Sequence, residues 1–111
     1  MHEMRLHNGP FTRIKSGTKT IEMRLNDEKR QLIKVGESIK FINRVTEEEM
    51  VTLVKGLYYF ENFDELYKNF DKVLIGYDED DDADPNDMSQ YYSKEDILKY
   101  GVVGIEIEVT K

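Results

Sequence analysis

Three charged side chains of mixed sign, Lys19, Glu22 and Arg24, lie within the segment 17–24 of this chain. A lysine supplies a compact cation, and an arginine supplies a planar fork of donors that suits an oxyanion or a base edge. A carboxylate between them can orient both cations or accept from an exocyclic amine, and Thr20 adds a hydroxyl group. These residue types suit the binding of a small polar ligand. The alternative is a solvated strand face, on which each surface ion pair contributes under ~1 kcal/mol.

A short helix followed by a turn must place this segment. Asn8 is the expected N-cap of that helix, and Pro10 lies in its first turn, where the missing N–H costs little. Phe11 and Ile14 are three residues apart and give the helix an apolar side. Gly17 suits the left-handed position that ends a helix.

Two of the charged residues, Glu22 and Arg24, then fall on a predicted strand at residues 20–25, and Lys19 lies just before it. Side chains alternate between the two faces of a strand, so the polar positions of this segment share one face. The apolar face carries Ile21, Met23 and Leu25, and the polar face carries Thr20, Glu22 and Arg24.

The rest of the chain predicts a mixed fold. Four more strands are predicted, at residues 3–7, 38–43, 50–60 and 103–109, with Gly56 marking a bulge or bend. Two more helices are predicted, from Asn62 to about residue 70 and from Ser93 to Gly101. The helices interrupt the strands without a β-α-β rhythm. We therefore expect an α+β fold, a small curled sheet or barrel of about five strands with two or three short flanking helices, in one domain covering residues 1–111.

Charge is distributed unevenly along the chain. The net charge of −7 argues against extended contact with duplex DNA, which depends on many phosphate contacts. Residues 1–55 nevertheless hold 11 basic and 8 acidic side chains, whereas residues 56–111 hold 5 basic and 15 acidic ones. The segment 17–24 lies in the basic half, which is compatible with a local anion site on an acidic protein.

Composition excludes several classes of protein. With no cysteine there are no disulfides, no thiol catalysis and no cysteine-ligated zinc. No apolar run approaches the ~20 residues that span a bilayer, and no signal-peptide pattern begins the chain. We expect a small cytoplasmic protein without a cofactor or membrane segment. A monomer is compatible with the sequence, which leaves the oligomeric state open.

Three tyrosines form a second group of candidates, because single-stranded nucleic acids stack their bases on aromatic side chains. They are Tyr91, Tyr92 and Tyr100. At least two of the three are expected to pack against the core. Tyr91 and Tyr92 are the ones we assign to ligand binding.

A metal site is not predicted. The acidic stretch 78–87 fails the EF-hand pattern, because Ala83 stands where glycine is needed and Ser89 where glutamate is needed. We expect this stretch to be a solvated loop. His2 and His7 lack the companion ligands of a zinc site.

The segment 17–24 resembles the defining pattern of the ASCH family, which is G-x-K-x-x-E-x-R. This family is a branch of the PUA-like fold. Gly17, Lys19, Glu22 and Arg24 reproduce that pattern. The flanks are similar too, in the helix before the motif, in the turn at residues 35–37 and in the stretch 100–105, so the resemblance covers essentially the whole chain. It implies a small β-barrel with helices beside it and a cleft at the motif. It also implies binding of RNA or nucleotide-like ligands.

One bacterial branch of this family consists of amidohydrolases that remove the acetyl group of N4-acetylcytidine with a lysine, a threonine and a glutamate. Lys19 matches that lysine, but Glu22 stands where the branch has its nucleophilic threonine. Thr20 lies two residues earlier, ~6.6 Å away along a strand. A lysine base must also be neutral, which a neighbouring carboxylate opposes.

We therefore expect a binding module for RNA, a nucleotide or a modified nucleoside. An amidohydrolase acting on an N4-acylated cytidine is the alternative, with Lys19 and Glu22 as its catalytic candidates. An adaptor that binds a basic protein through the acidic half is a third possibility. The sequence leaves the ligand and the pathway open.

Overall fold

Five strands form one curled sheet in the computed structural model, which describes residues 1–110. The strands are β1 (His2–Leu6), β2 (Ile21–Leu25), β3 (Ser38–Asn43), β4 (Glu49–Phe60) and β5 (Val102–Val109). The sheet order is β1-β3-β4-β5-β2, in which β1 runs parallel to β3 and all other pairs are antiparallel. The sheet closes halfway to a barrel, with β1 and β2 as its edges.

Three short α-helices accompany the sheet, so the predicted α+β class is confirmed. They are α1 (Asn8–Ser16), α2 (Phe63–Asn69) and α3 (Lys94–Tyr100). Two 3₁₀ turns, Arg30–Leu32 and Pro85–Gln90, lie in the connections. No helix within residues 1–110 has both the length and the apolar character needed to cross a membrane.

The apolar side chains form two clusters, one packed under α1 and the other under α2. The first contains Phe11 and Ile14 of α1 together with Ile39, Phe41 and Ile105 of the sheet. The second joins Ile21 and Met23 of β2 to Phe63 and Leu66 of α2, and includes Ile75 and Met88 from the connections. Because Ile21 and Met23 face the second cluster, Glu22 and Arg24 point to the opposite side of β2.

Several predicted local features are confirmed. Gly17 ends α1 with a φ of 89°, Asn62 caps α2 by accepting from the Glu65 amide, and Ser93 caps α3 by accepting from the Asp96 amide. The register of β4 against β5 shifts between Val54 and Gly56, which is the predicted bulge.

Two local predictions are wrong. Asn8 is the first residue of α1 and not its N-cap; His7 holds the cap position without a side-chain cap bond. The Asn8 side chain instead accepts a 2.9 Å hydrogen bond from Asn43 Nδ2, because buried Asn43 needs an acceptor. The acidic loop also ends earlier than predicted, since a 3₁₀ helix begins at Pro85 and the Asp84 side chain caps it.

Gly101 joins α3 to β5 in a backbone conformation that side chains avoid, with φ 70° and ψ −170°. A Cβ atom there would lie 2.9 Å from the Phe60 carbonyl oxygen. We expect Gly101→Ala to lower the free energy of unfolding by about 3 kcal/mol in urea titrations. Gly36→Ala is the control, because Gly36 has a φ of 93° but nothing within 4 Å of its Cβ position. Equal losses in the two variants would show that the clash contributes nothing.

Candidate functional site

Backbone hydrogen bonds clamp the segment that carries the charged residues. The amides of Thr18 and Lys19 both donate to the Arg13 carbonyl at 3.1 Å, which ties the turn to the end of α1. The amides of Thr20 and Ile21 both donate to the Leu74 carbonyl at 3.0 Å. The segment is therefore held from both sides before β2 begins.

Glu22 lies between the two cations and contacts both. Its Oε1 is 2.8 Å from Lys19 Nζ, and its Oε2 is 2.6 Å from Arg24 Nε. The side chains of Lys19 and Glu22 are only 7% and 5% exposed, and that of Arg24 is 15% exposed. Arg24 Nη2 also donates to the Arg5 carbonyl at 3.1 Å, which links β2 to β1 across the opening of the sheet. We call Lys19, Glu22 and Arg24 the triad.

The triad carries a net charge of +1 at neutral pH. Burial alone opposes ionisation of Glu22, but the charges and hydrogen bonds of Lys19 and Arg24 outweigh it and lower the pKa of Glu22 to about 2. Burial also disfavours the charged form of Arg24, and the Glu22 carboxylate more than offsets this and raises the pKa of Arg24. A buried carboxylate is thus kept ionised by two cations that exceed its charge.

Gly76 allows the chain to pack directly on Lys19. A Cβ atom at this position would lie 3.2 Å from Lys19 Cδ, and the φ of Gly76 is 112°. The backbone at Gly76 therefore lies closer to the Lys19 side chain than a residue with a Cβ atom would allow. The close approach leaves the ammonium group directed toward Glu22.

The triad forms the floor of a cavity of about 450 Å³. Residues from β1, the start of α1, β2, the turn after β3, α2 and the connection between α2 and α3 line it. Besides the triad they are Arg5, Leu6, His7, Pro10, Met23, Arg44, Tyr67, Ile75, Gly76, Tyr77, Asp87, Met88, Gln90, Tyr91 and Tyr92. Exposed residues of this set, among them Arg5, His7, Arg44 and Tyr91, define what we call the mouth of the cavity.

Aromatic rings form one wall of the cavity. Tyr92 stacks on Phe63 with ring centroids 5.8 Å apart, and burial raises the pKa of the Tyr92 hydroxyl. Tyr91 is 55% exposed and lies 6.4 Å from the His7 ring and 6.5 Å from the Tyr92 ring. Tyr92 is therefore partly a packing residue, whereas the Tyr91 ring remains free to contact a ligand.

Hydrogen bonds that join the side chains of Tyr67, Tyr77 and Asp87 fix another wall of the cavity. The Tyr67 and Tyr77 hydroxyls are 2.8 Å apart, and Tyr77 donates to Asp87 Oδ2 at 2.7 Å. Burial and these two hydrogen bonds raise the pKa of Tyr77 well above its usual range. Because Asp87 accepts from Tyr77, the wall next to the 3₁₀ turn is fixed in place.

Comparison with protein families matches residues 4–111 to the ASCH domain. The chain belongs to the ASCH domain family. It is similar to hypothetical protein PH0355, known from a crystal structure, at 33% identity with a TM-score of 0.82 over 97% of each chain. It is also similar to protein PF0455 from Pyrococcus furiosus, known from a solution NMR structure, at 30% identity with a TM-score of 0.77 over 99% of this chain and 97% of that one.

A third structure, that of a mutant ASCH protein from Zymomonas mobilis, matches with a TM-score of 0.70 and 12% identity over 96% of this chain and 68% of that one. At 12% identity this similarity shows a shared fold and no more. Comparison with curated proteins gave no match. The ASCH family and the PUA-like α+β fold inferred from the sequence are confirmed.

In this ASCH domain the structure brings together most of the residues predicted from the sequence. The triad, Tyr91 and Tyr92 all line the cavity, whereas Thr20 does not. Tyr100 lies elsewhere and donates to Glu28 Oε1 at 2.8 Å. Sequence reasoning missed Arg5, His7, Arg44 and Gly76, because only pairing between distant segments places them here. The positive charge of the first half was the one signal that pointed toward Arg5 and Arg44.

The acidic loop brings three carboxylates close together. Oxygen atoms of Asp78, Asp80 and Asp81 lie within 4.8 Å of one another, and all three side chains are exposed. Asp78 also contacts Arg13 Nη2 at 3.3 Å. Residues 78–84 are exposed and lie outside the helices and strands, as the predicted solvated loop requires. Exposed acidic groups often cluster in loops without binding an ion, so the expected lack of a metal site stays a prediction.

Proposed function

We propose that this ASCH domain binds RNA, a nucleotide or a modified nucleoside in the cavity above the triad. One observation carries the proposal: a single buried carboxylate holds Lys19 and Arg24 side by side at the floor. Charged groups this deeply buried need a reason to be retained, since apolar residues would serve stability as well. The association of the ASCH family with RNA binding supports the same conclusion.

The floor suits a ligand edge that accepts hydrogen bonds. Lys19 Nζ has three donor hydrogens and Arg24 has five, yet the contacts to Glu22 and Arg5 occupy only part of them. The free donors match carbonyl oxygens, ring nitrogens or phosphate oxygens. Both Glu22 oxygens already contact a cation, which favours the role of orienting Lys19 and Arg24 over accepting from an exocyclic amine.

Cavity size and wall chemistry fit one nucleotide unit. A volume of about 450 Å³ lies within the usual range of small-molecule sites. Tyr91 offers an exposed ring at the edge of the cavity, and stacking of a base on an aromatic ring contributes ~1–3 kcal/mol. A base that enters the cavity would have its polar edge at the floor and a face against the tyrosine wall.

Tyr91→Ala is expected to weaken binding about tenfold or more, because the stacking contact is lost. Titration calorimetry with a panel of nucleosides, nucleotides and short single-stranded RNAs, including N4-acetylcytidine, measures the change. Tyr59→Ala is a matched control, since Tyr59 is 57% exposed and lies outside the cavity. Equal affinities for the wild type and Tyr91→Ala would contradict the assignment of this wall to the ligand.

No contact among residues 1–110 favours the two alternatives. An amidohydrolase acting on an N4-acylated cytidine needs a neutral base, and an ammonium 2.8 Å from a carboxylate is a poor one. Thr20, the nearby hydroxyl in sequence, does not line the cavity. Incubation with N4-acetylcytidine tests this activity, with Lys19→Ala as the control. Deletion of residues 79–86 tests the adaptor role, which requires that partner capture be lost while nucleoside binding survives.

A further inference from the structure

Two arginines at the mouth of the cavity have no strong partner within the part of the chain that the structure describes. The Arg5 side chain is 53% exposed, and its one carboxylate contact joins Arg5 Nη1 to Oε2 of Glu47 at 3.7 Å, where the Glu47 side chain is 70% exposed. Arg44 is exposed and forms no ion pair among residues 1–110. Both guanidinium groups are thus available to a ligand.

Backbone contacts fix these arginines relative to the floor. The Arg5 carbonyl accepts from Arg24 Nη2 at 3.1 Å, so the residue that carries the mouth arginine is bonded directly to the triad. The Arg44 amide donates to the Leu6 carbonyl at 2.8 Å, which sets Arg44 beside the end of β1. Arg5 therefore lies in β1 itself, and Arg44 lies at the start of the turn after β3, where its amide is bonded to the end of β1.

The charges of the cavity favour an anion at the mouth. Four cations line it, namely Lys19, Arg24, Arg5 and Arg44, against the two carboxylates Glu22 and Asp87. Glu22 is neutralised within the triad, and Asp87 accepts from Tyr77. The surplus of positive charge lies in a chain whose net charge is −7, so it is a local feature of this cavity.

We propose that Arg5 and Arg44 form a phosphate subsite at the mouth, so that the ligand whose base meets the triad is a phosphorylated nucleotide unit and not a free nucleoside. This inference rests on the proposed function of the cavity. Arginine suits the subsite because its planar fork matches phosphate oxygens two at a time. The phosphate belongs either to a free mononucleotide or to a short single-stranded RNA.

Calorimetric titrations of the wild type with 5′-mononucleotides, the matching nucleosides and dinucleoside monophosphates test the subsite. The wild type is expected to bind the nucleotide at least about tenfold more tightly than the nucleoside. In the double variant Arg5→Gln/Arg44→Gln this preference is expected to disappear while nucleoside affinity stays the same. The salt dependence of nucleotide binding is expected to weaken as well.

Lys55→Gln/Lys68→Gln is the matched control, because it removes two exposed cations that lie outside the cavity. Equal binding of nucleoside and nucleotide by the wild type overturns the subsite and leaves the proposed function standing. The subsite is also overturned if the control variant loses the preference for nucleotide over nucleoside to the same extent as Arg5→Gln/Arg44→Gln. Binding of neither ligand refutes the proposed function itself. Tight binding of the diester supports the subsite with RNA as the source, and binding of the monoester alone supports it with a free nucleotide.

Discussion

Glu22→Gln is expected to lower the free energy of unfolding by about 3–5 kcal/mol at pH 7. The substitution leaves Lys19 and Arg24 buried next to each other without the carboxylate that compensates their charges. Urea titration followed by circular dichroism measures the loss, together with the shift in Tm. This is a large fraction of the stability of a domain of 111 residues.

Glu108→Gln provides the comparison for this experiment. Glu108 pairs with Lys55 at 3.5 Å on the surface of the sheet, where both side chains are largely exposed. Surface pairs contribute under ~1 kcal/mol, so this variant is expected to unfold nearly as the wild type does. If Glu22→Gln lost no more stability than Glu108→Gln, the triad would be no stronger than a surface pair.

Acid titration tests the same group in the wild type. The folded-state pKa of Glu22 is depressed from 4.5 to about 2, so its contribution to stability is present above pH 4.5 and is lost as the pH falls toward 2. The depression corresponds to about 3 kcal/mol. The stability curves of the wild type and Glu22→Gln are therefore expected to converge between pH 4.5 and 2. Curves that stay parallel over this window would contradict the depressed pKa.

Arg24→Gln is expected to weaken ligand binding about thirtyfold, which corresponds to ~2 kcal/mol for a lost charge-assisted hydrogen bond. The guanidinium contacts Glu22 and the Arg5 carbonyl and still has free donors at the floor. Calorimetric titration with the tightest ligand of the panel measures the change. A ΔTm measurement on the same samples separates loss of binding from loss of folding.

Arg30→Gln is a suitable control, because the Arg30 side chain is 16% exposed and thus as buried as that of Arg24 at 15%. It pairs with Asp27 at 3.5 Å and does not line the cavity. Arg24→Lys keeps the charge but not the fork of donors, and we expect it to restore only part of the affinity. Full affinity in Arg24→Gln would remove Arg24 from the ligand site.

Features that depend on neighbouring residues could be predicted from the sequence. The alternation in β5, the caps at Asn62 and Ser93, and the helix end at Gly17 all follow from local patterns. Each depends on contacts within a few residues, so no knowledge of the tertiary fold is needed. The ASCH motif also falls in this class, since eight consecutive residues carry it.

Features that depend on distant contacts were mispredicted or missed. Asn8 fits an N-cap by residue type, but Asn43, which is 35 residues away, takes its side chain as a hydrogen-bond acceptor. Gly76 carries no local signal for its contact with Lys19. In both cases a residue distant in sequence determines the contact, and the local sequence pattern does not reveal it.

The sequence by itself determined the family, the α+β class and the placement of Glu22 and Arg24 on one face of β2, with Lys19 just before the strand. Only the tertiary structure decided that this face is buried, because β1, the residue 73–77 segment and the 3₁₀ turn at Pro85–Gln90 close over it. Burial opposes ionisation of Glu22, but the enclosed site holds Lys19 and Arg24 against it, and their charges and hydrogen bonds lower its pKa to about 2. The pairing of β1 with β3 and the bond from the Arg44 amide to the Leu6 carbonyl bring Arg5 and Arg44 to the mouth. The motif encodes neither contact.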